Sequence, residues 1–591
     1  MANNLYTTHL RPVLKRSLFN CGTLLYKNAG VEMCVVTALL CLTVSNIEAR
    51  WSSAEVITTG FVGVTCIVDI VCVLINKRRI CFGAIDLFVA LWALYFCWST
   101  YRSDFPCSTT FLKGIWPCLL YFSLKPVFAT GRLKEEALLA LFVVFGCYEA
   151  LCGYCQLFIG SRHYLYAVTG SFQNPGPYSA YLMTALVVAV TGLKTRIFTQ
   201  SKQIVIACAV IIGIIFPATL SRAAILAFVV IMLWTFKNWC WRRRYLIASV
   251  LLALVVIAYF YKRGSADGRV LLWQCALSEW TNAPWLGTGT RSFMHSFSQG
   301  ITTLYDSGTI EADRFRSVDV PEYAFNEAVY IVVEHGVAGL LLWVGIVCAV
   351  CHALWHKSKA LAYALLSLMV FSMFSYPMEL MPFKLILIII MAWSATKPYA
   401  VSSSLRHKAG MVSLCAALMA VGALTTRRAH QAYETDLLIN DLKTAPQPTL
   451  LKDYYAYLEN ETDDANYLFC FGKTLSALGR YNDSNAIMRR GTLISADPMF
   501  YVIMGNNYQG MALPSQAEWC YQRAFAMMPN RLYPLYKLAL LYHDTNQTAK
   551  MKRMCQRIIC FQPKIESKAT SDMKAGAKKM LIKPHSATTK S

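Results

Sequence analysis

The sequence is short of charge. Asp, Glu, Lys and Arg make up only 15% of its 591 residues, where a soluble chain carries about 25%. So little charge cannot clothe several apolar cores in polar surface, which excludes an ordinary cytosolic enzyme and a disordered chain. Residues 1–30 hold Arg11, Lys15, Arg16 and Lys27 but no short apolar core followed by a small-residue cleavage site. A cytoplasmic lead-in is expected there, not a cleaved signal peptide. No two CxxC pairs stand at zinc-finger spacing, so no zinc-finger ligand set is expected. Most of the 22 cysteines lie in apolar runs such as VEMCVVTALLCL, where they act as small hydrophobes and exclude a disulfide-stapled module. Cys470, Cys520, Cys555 and Cys560 stand in polar sequence and are candidates for pairing in an oxidising compartment.

What is abundant is apolar, at 56%, and that excess points to lipid. Apolar segments fall near residues 31–47, 54–75, 81–99, 109–128, 136–159, 178–193, 203–219, 221–237 and 246–261. Further ones follow near 328–351, 359–376, 383–396 and 409–425. The reading is all-α, with about 12–13 transmembrane helices: nine over 31–261 and the rest over 328–425, separated by a large loop at 262–327. Loop charge sets the orientation. Lys77-Arg78-Arg79, Lys194 with Arg196, Arg242–Arg244 and Lys357 with Lys359 occupy one side, and cytoplasmic loops are the ones enriched in Lys and Arg. The 262–327 loop and the C-terminal region are then expected on the side opposite the cytoplasm. Much of the formal +23 becomes a topology signal, so no nucleic-acid partner is expected.

From about residue 430 the composition turns soluble. Pro498, Pro529 and Pro563 close successive helical stretches 31 and 34 residues apart. That period predicts helical hairpins of the tetratricopeptide kind over 430–565, followed by a basic flexible tail over 566–591. Such hairpins offer a surface for a protein partner.

Three polar islands interrupt the apolar body. GSFQNPGPYSAYL places Asn174, Pro175, Gly176 and Pro177 in a stiff turn at the mouth of a span, where free backbone N–H groups can meet an anion. PATLSRAAILAF places Arg222 close to hydrocarbon, which is costly unless the side chain snorkels, pairs or binds a ligand. The third island is the 262–327 loop. There Asp267-Gly268-Arg269 is expected to turn the chain before a helix whose Leu271, Leu272, Ala276 and Leu277 lie on the membrane surface. Gly287 and Gly289 permit a tight turn, and Glu322, Asn326, Glu327 and Glu334 gather where the chain re-enters the membrane. Those four also suit a plain interfacial role fixing the next helix. Arg222 and Arg269 together suit a pyrophosphate, because guanidinium contacts phosphate oxygens in bidentate fashion.

LSRAA, DGR followed by LW, PWLGTGTRSF and FNEAVYIVVEHGVAG occur in that order. The set resembles the O-antigen ligase and polymerase superfamily of multi-spanning bacterial glycosyltransferases over residues 165–390. GSFQNPGPYSAYL and YPMELMP resemble its Bacteroidetes-type variant, which often carries a tetratricopeptide-like extension. The resemblance implies transfer of a glycan from undecaprenyl-pyrophosphate to a lipid A-core, protein or glycan acceptor at the periplasmic face of the inner membrane. It implies inversion at the anomeric carbon, with no nucleotide sugar and no essential metal. Arg222 and Arg269 correspond to the arginines that hold the donor pyrophosphate. Many members have a histidine where this chain has Phe325, which leaves Glu327 as the expected base, with Glu322 behind it and Asn326 and Glu334 on the acceptor side. His295 and His335 read as structural. Lipopolysaccharide ligation, polysaccharide polymerisation and protein O-glycosylation share this chemistry. A polysaccharide flippase or other transporter would show internal repeats and charge at mid-membrane, and a non-catalytic scaffold would act through the C-terminal hairpins alone.

Overall fold

In a computed structural model the described residues are 30–44, 82–105, 108–128, 133–160, 166–172, 174–245, 249, 263–308, 312–315, 320–321, 323–396, 437–439, 441–442, 451–460, 464–563 and 566–582. Among them the regular structure is helical throughout. Five helices are long and apolar enough to cross a membrane: Ala84–Arg102, Glu135–Ile159, Pro175–Lys194, Lys202–Thr219 and Glu327–Lys357. The apolar helices Arg222–Thr235, Lys359–Ser372 and Met381–Ser394 are shorter; at 14 residues each they extend about 21 Å against a hydrocarbon core of about 30 Å. The chain is therefore an all-α polytopic membrane protein with about five full-length spans among the described residues. The expected segments at 54–75 and 409–425, and all but one residue of that at 246–261, lie outside them.

The helices are numbered α1 (Gly30–Thr43), α2 (Ala84–Arg102), α3 (Ser108–Phe128), α4 (Glu135–Ile159), α5 (Pro175–Lys194), α6 (Lys202–Ile215), α7 (Arg222–Thr235), α8 (Lys237–Arg242), α9 (Arg263–Trp280), α10 (Phe293–Asp306), α11 (Ala312–Phe315), α12 (Glu327–Lys357), α13 (Lys359–Ser372) and α14 (Met381–Ser394). Then follow α15 (Leu451–Asn460), α16 (Ala465–Ala477), α17 (Tyr481–Ile494), α18 (Met499–Gly510), α19 (Pro514–Met527), α20 (Tyr533–Asp544), α21 (Thr548–Cys560) and α22 (Lys568–Ile582). The chain divides into two compact units: Met1–Tyr95 with Leu112–Ser249 and Leu341–Tyr433, and Phe96–Phe111 with Val250–Leu340 and Glu434–Ser591.

The first unit is built around α5. Asn174 caps it, accepting from the Gly176 N–H at 2.8 Å, and Pro175 starts it with a φ already suited to a helix. From Pro177 to Ala189 every side chain of α5 is buried, as expected of a helix surrounded by others. Small residues let neighbours close in. A Cβ on Gly146 of α4 would lie 2.2 Å from the Ala185 Cβ, and one on Gly153 would lie 2.0 Å from the Tyr178 hydroxyl. Asp86 and Lys125 pair at 2.5 Å, both buried, and the Tyr121 hydroxyl donates to the other Asp86 oxygen at 2.8 Å. Each charge is thus matched where an unmatched one would be costly.

In the second unit α9 packs on α10, and the two come very close at Gly300, where a Cβ would lie 2.0 Å from the Cys275 carbonyl. Helices α15 to α22 form consecutive hairpins. The turns repeat in detail. Gly479, Ala512 and Asn546 all have positive φ and recur at 33 and 34 residues. At each, the next N–H reaches back five residues, from Arg480 to Leu475, Leu513 to Tyr508 and Gln547 to Tyr542. This is the αL-capped helix end. Cys470, Cys520, Cys555 and Cys560 are free thiols. The expected flexible tail is corrected over Lys568–Ile582, which is helix α22. It buries Ala577 among apolar side chains that include Met573, Met580 and Leu581, burial that a count of its lysines does not register.

Ala512 holds its left-handed turn, φ 58°, without glycine's freedom, at a cost of about 1 kcal/mol. Ala512→Gly is expected to stabilise the α18–α19 turn by about 0.5–1 kcal/mol, read as slower amide exchange of the Gln509–Leu513 segment. Unchanged or faster exchange would contradict this.

Candidate functional site

The loop residues do not lie as the sequence suggested. Asp267-Gly268-Arg269 is not a turn but lies inside α9. Leu271, Leu272 and Ala276 are buried against Phe293, Phe297 and Ile301 of α10, with Leu277 packed beside them, so they form a protein core and not a membrane-facing stripe. The amphipathic pattern was read correctly and given the wrong partner, because α10 supplies the apolar surface that lipid was expected to supply.

Being one turn apart on α9, Arg269 and Trp273 share a face, and both reach the 324–325 segment. The Arg269 guanidinium lies over the Phe325 ring, 4.7 Å from its centroid, a cation–π arrangement. The Trp273 indole N–H donates to the Ala324 carbonyl at 2.8 Å. Phe325 itself sits at φ 53°, a strained setting for a non-glycine residue. Two of the residues singled out in the sequence are thereby brought together. Next to them Asn326 caps α12, its side-chain oxygen accepting from the Val329 N–H at 3.1 Å and its carbonyl from the Tyr330 N–H at 3.0 Å. Glu327 follows as the first residue of α12 and is buried, where an acid suits the positive end of a helix. Glu322 lies outside the described residues.

Farther along, α12 is interrupted. Gly336 takes φ 66° and ψ −171°, which removes the helical partners of Val337 and Ala338. The PWLGTG loop supplies others. Val337 N–H donates to the Pro284 carbonyl at 3.0 Å and Ala338 N–H to the Trp285 carbonyl at 3.1 Å. In return the Val333 and Glu334 carbonyls accept from the Thr288 and Gly289 N–H groups at 2.9 and 3.0 Å. The contact needs glycine on both sides: a Cβ on Gly287 would lie 2.4 Å from the Glu334 carbonyl oxygen, and one on Gly336 would lie 2.3 Å from that of Trp285. Glu334, also buried, accepts from the Phe293 N–H at 3.2 Å through its side chain and so holds the start of α10.

Side chains brace this junction. Arg102 donates to the carbonyls of Leu286 at 3.1 Å and Gly287 at 2.9 Å, and Ser103 to that of Thr290 at 2.7 Å. His335 is buried, with Nδ1 3.1 Å from the Ser99 hydroxyl. The His295 ring lies tilted against Phe105, centroids 5.3 Å apart, and burial pushes its pKa below the usual histidine value. Both are held as structural residues are. Thr288, Trp273 and Gly336 lie inside the quoted motifs without having been given these roles, and the signal for Gly336 was a glycine inside a strong helical pattern; Ser99 had no signal.

The first unit holds the remaining candidates. Arg222 is half-buried and opens α7, just after a 3-10 turn over Phe216–Thr219 and Leu220 at φ 50°. Asn174 also donates to the Tyr376 hydroxyl at 3.2 Å, so the NPGP turn and the YPMELMP segment meet. Glu149, fully buried, accepts from the Ser171 hydroxyl at 2.6 Å and its N–H at 3.0 Å. The Gln156 side-chain oxygen accepts from the N–H groups of Thr169 and Gly170 at 2.7 and 2.8 Å. These two polar residues in an apolar span were the missed signal for this turn. Among the described residues, no group of three or more His, Cys, Asp or Glu is placed to hold a metal ion.

Because Gly287 combines φ 71° with that close approach, Gly287→Ala is expected to lower stability by about 2 kcal/mol or more. Thermal unfolding in detergent measures it, and an unchanged midpoint would contradict the docking role.

No curated protein matches the chain. Residues 207–344 match the family described as O-antigen ligase, and this stretch contains Arg222, Arg269, the PWLGTG loop, Phe325–Glu327 and the Gly336 break. Over that stretch, 207–344, the chain is similar to the O-antigen ligase family.

Proposed function

We propose that the protein is an inverting membrane glycosyltransferase that moves a glycan from an undecaprenyl-pyrophosphate donor to an acceptor at the periplasmic face of the inner membrane. The observation that carries this reading is Arg269 stacked on Phe325 beside Glu327, inside the stretch that matches the O-antigen ligase family. Arg222 and Arg269 are assigned to the donor pyrophosphate. Their guanidinium groups offset the charge that builds on the phosphate oxygen as the bond to the anomeric carbon breaks. The acceptor hydroxyl attacks that carbon from the opposite face and passes its proton to the Glu327 carboxylate. The bonding pair leaves with undecaprenyl pyrophosphate. Phe325 is a flat platform that fixes the Arg269 side chain, in place of a titratable group.

Asn326 and Glu334 are assigned to the acceptor side as positioning residues, because each already anchors backbone there. Glu322 stays as the second candidate for the base. Polymerisation of lipid-linked repeats is the alternative with the same chemistry. Protein Ser/Thr is favoured as acceptor over lipid A-core by the C-terminal hairpins, which we assign to the tetratricopeptide kind on their 33- and 34-residue recurrence; surfaces of that kind commonly take polypeptide.

Arg222→Ala and Arg269→Ala are each expected to reduce transfer by about 10²-fold or more. Glu327→Gln is expected to lower kcat by about 10²–10⁴-fold with little change in donor binding. Purified, membrane-inserted protein assayed with lipid-linked glycan and separate lipid and protein acceptors measures all three. Full transfer by either inserted arginine variant would overturn the donor assignment, and full kcat in Glu327→Gln would remove it as the base.

A further inference from the structure

The end of the chain carries charge that the transfer chemistry does not use. From Thr548 to Ile582 there are nine Lys or Arg and only two acids, Glu566 and Asp572. On α21, Met551, Cys555 and Ile558 are buried, while Lys552, Arg553 and Arg557 are exposed on the opposite face. The adjoining α22 turns its Ala577 side inward and exposes Lys568, Lys578 and Lys579. Some cations here are occupied: Lys550 pairs with Glu518 at 3.1 Å, Lys574 with Glu566 at 3.2 Å, and Arg557 donates to the Tyr305 hydroxyl at 3.0 Å. Lys552, Arg553, Lys568, Lys578 and Lys579 form no ion pair or side-chain hydrogen bond among the described residues.

Cations gathered on two adjoining helices repel one another unless an anionic surface faces them. Four of these five are lysines, long-stemmed and strongly hydrated, which suit a fluid array of phosphates better than a single bidentate pocket. Apolar spans hold this chain in a bilayer, and its anionic lipid headgroups offer such an array of phosphates. We propose that the basic faces of α21 and α22 dock on the anionic phospholipid surface of the membrane that carries the protein. Docking would fix the C-terminal hairpins near the bilayer, whatever acceptor the enzyme serves. The proposal rests on the membrane-spanning character of the chain and not on the transfer reaction.

The test uses the full-length protein in nanodiscs of phosphatidylcholine alone and of equal parts phosphatidylcholine and phosphatidylglycerol, with amide exchange followed across the C-terminal helices. In the anionic discs exchange of α21 and α22 is expected to slow about tenfold or more, and the protection is expected to fade at about 0.5 M salt. The variant Lys552→Glu, Arg553→Glu, Lys578→Glu, Lys579→Glu is expected to lose it. Exchange of α17 and α18 reports that the hairpins remain folded. Equal exchange in the two discs, protection that survives in the variant, or protection that arises only on adding a soluble polyanion would each overturn the proposal.

Discussion

Backbone hydrogen bonding governs this architecture. A long apolar helix can break only where other groups take up the freed N–H and carbonyl groups, because lipid offers none. At Gly336 the break frees two such pairs, and the PWLGTG loop takes all four groups with its own backbone. This contact ties the loop to α12, and the Glu334 side chain carries the same tie on to α10. Since α10 packs on α9, and α9 carries Arg269, the placement of that arginine depends on the fit of Gly287 against Gly336.

The same dependence sets how the side chains around the junction are held. Arg269 lies against an aromatic ring, half-buried at the head of the α9–α10 body. Glu327 sits buried at the start of a capped helix. Glu334 and Asn326 are already engaged with backbone. Of the residues that the sequence gathers here, Asn326 and Glu334 hold backbone and Glu327 opens α12.

Much of this was legible beforehand, and the reasons differ by element. Helix α5 was visible because Asn174, Pro175 and an unbroken apolar run are start signals that act locally. Proline spacing raised the expectation of a repeat, and the αL turns at Gly479, Ala512 and Asn546 recur at a similar interval. The path of α9 was misread because glycine and aspartate in Asp267-Gly268-Arg269 have turn propensity, and the packing of α9 on α10 outweighs it. The partner of the Leu271 face was misassigned because periodicity shows that a face is apolar but not what covers it. Thr288 and Trp273 stood inside quoted motifs and Ser99 outside them, but their roles exist only once the loop meets the broken helix. Glu149 and Gln156 did have one, as polar residues inside a span, and that signal was passed over.

The proposed function requires that the chain transfer a glycan and release its lipid carrier. The direct measurement is the purified protein in a bilayer with a glycan-loaded undecaprenyl pyrophosphate and candidate acceptors, following both the lipid product and the glycosylated acceptor. Undecaprenyl pyrophosphate released in step with an acceptor glycan of inverted anomeric configuration is the predicted result. Intact donor with every acceptor, or a product that retains the anomeric configuration, would contradict it.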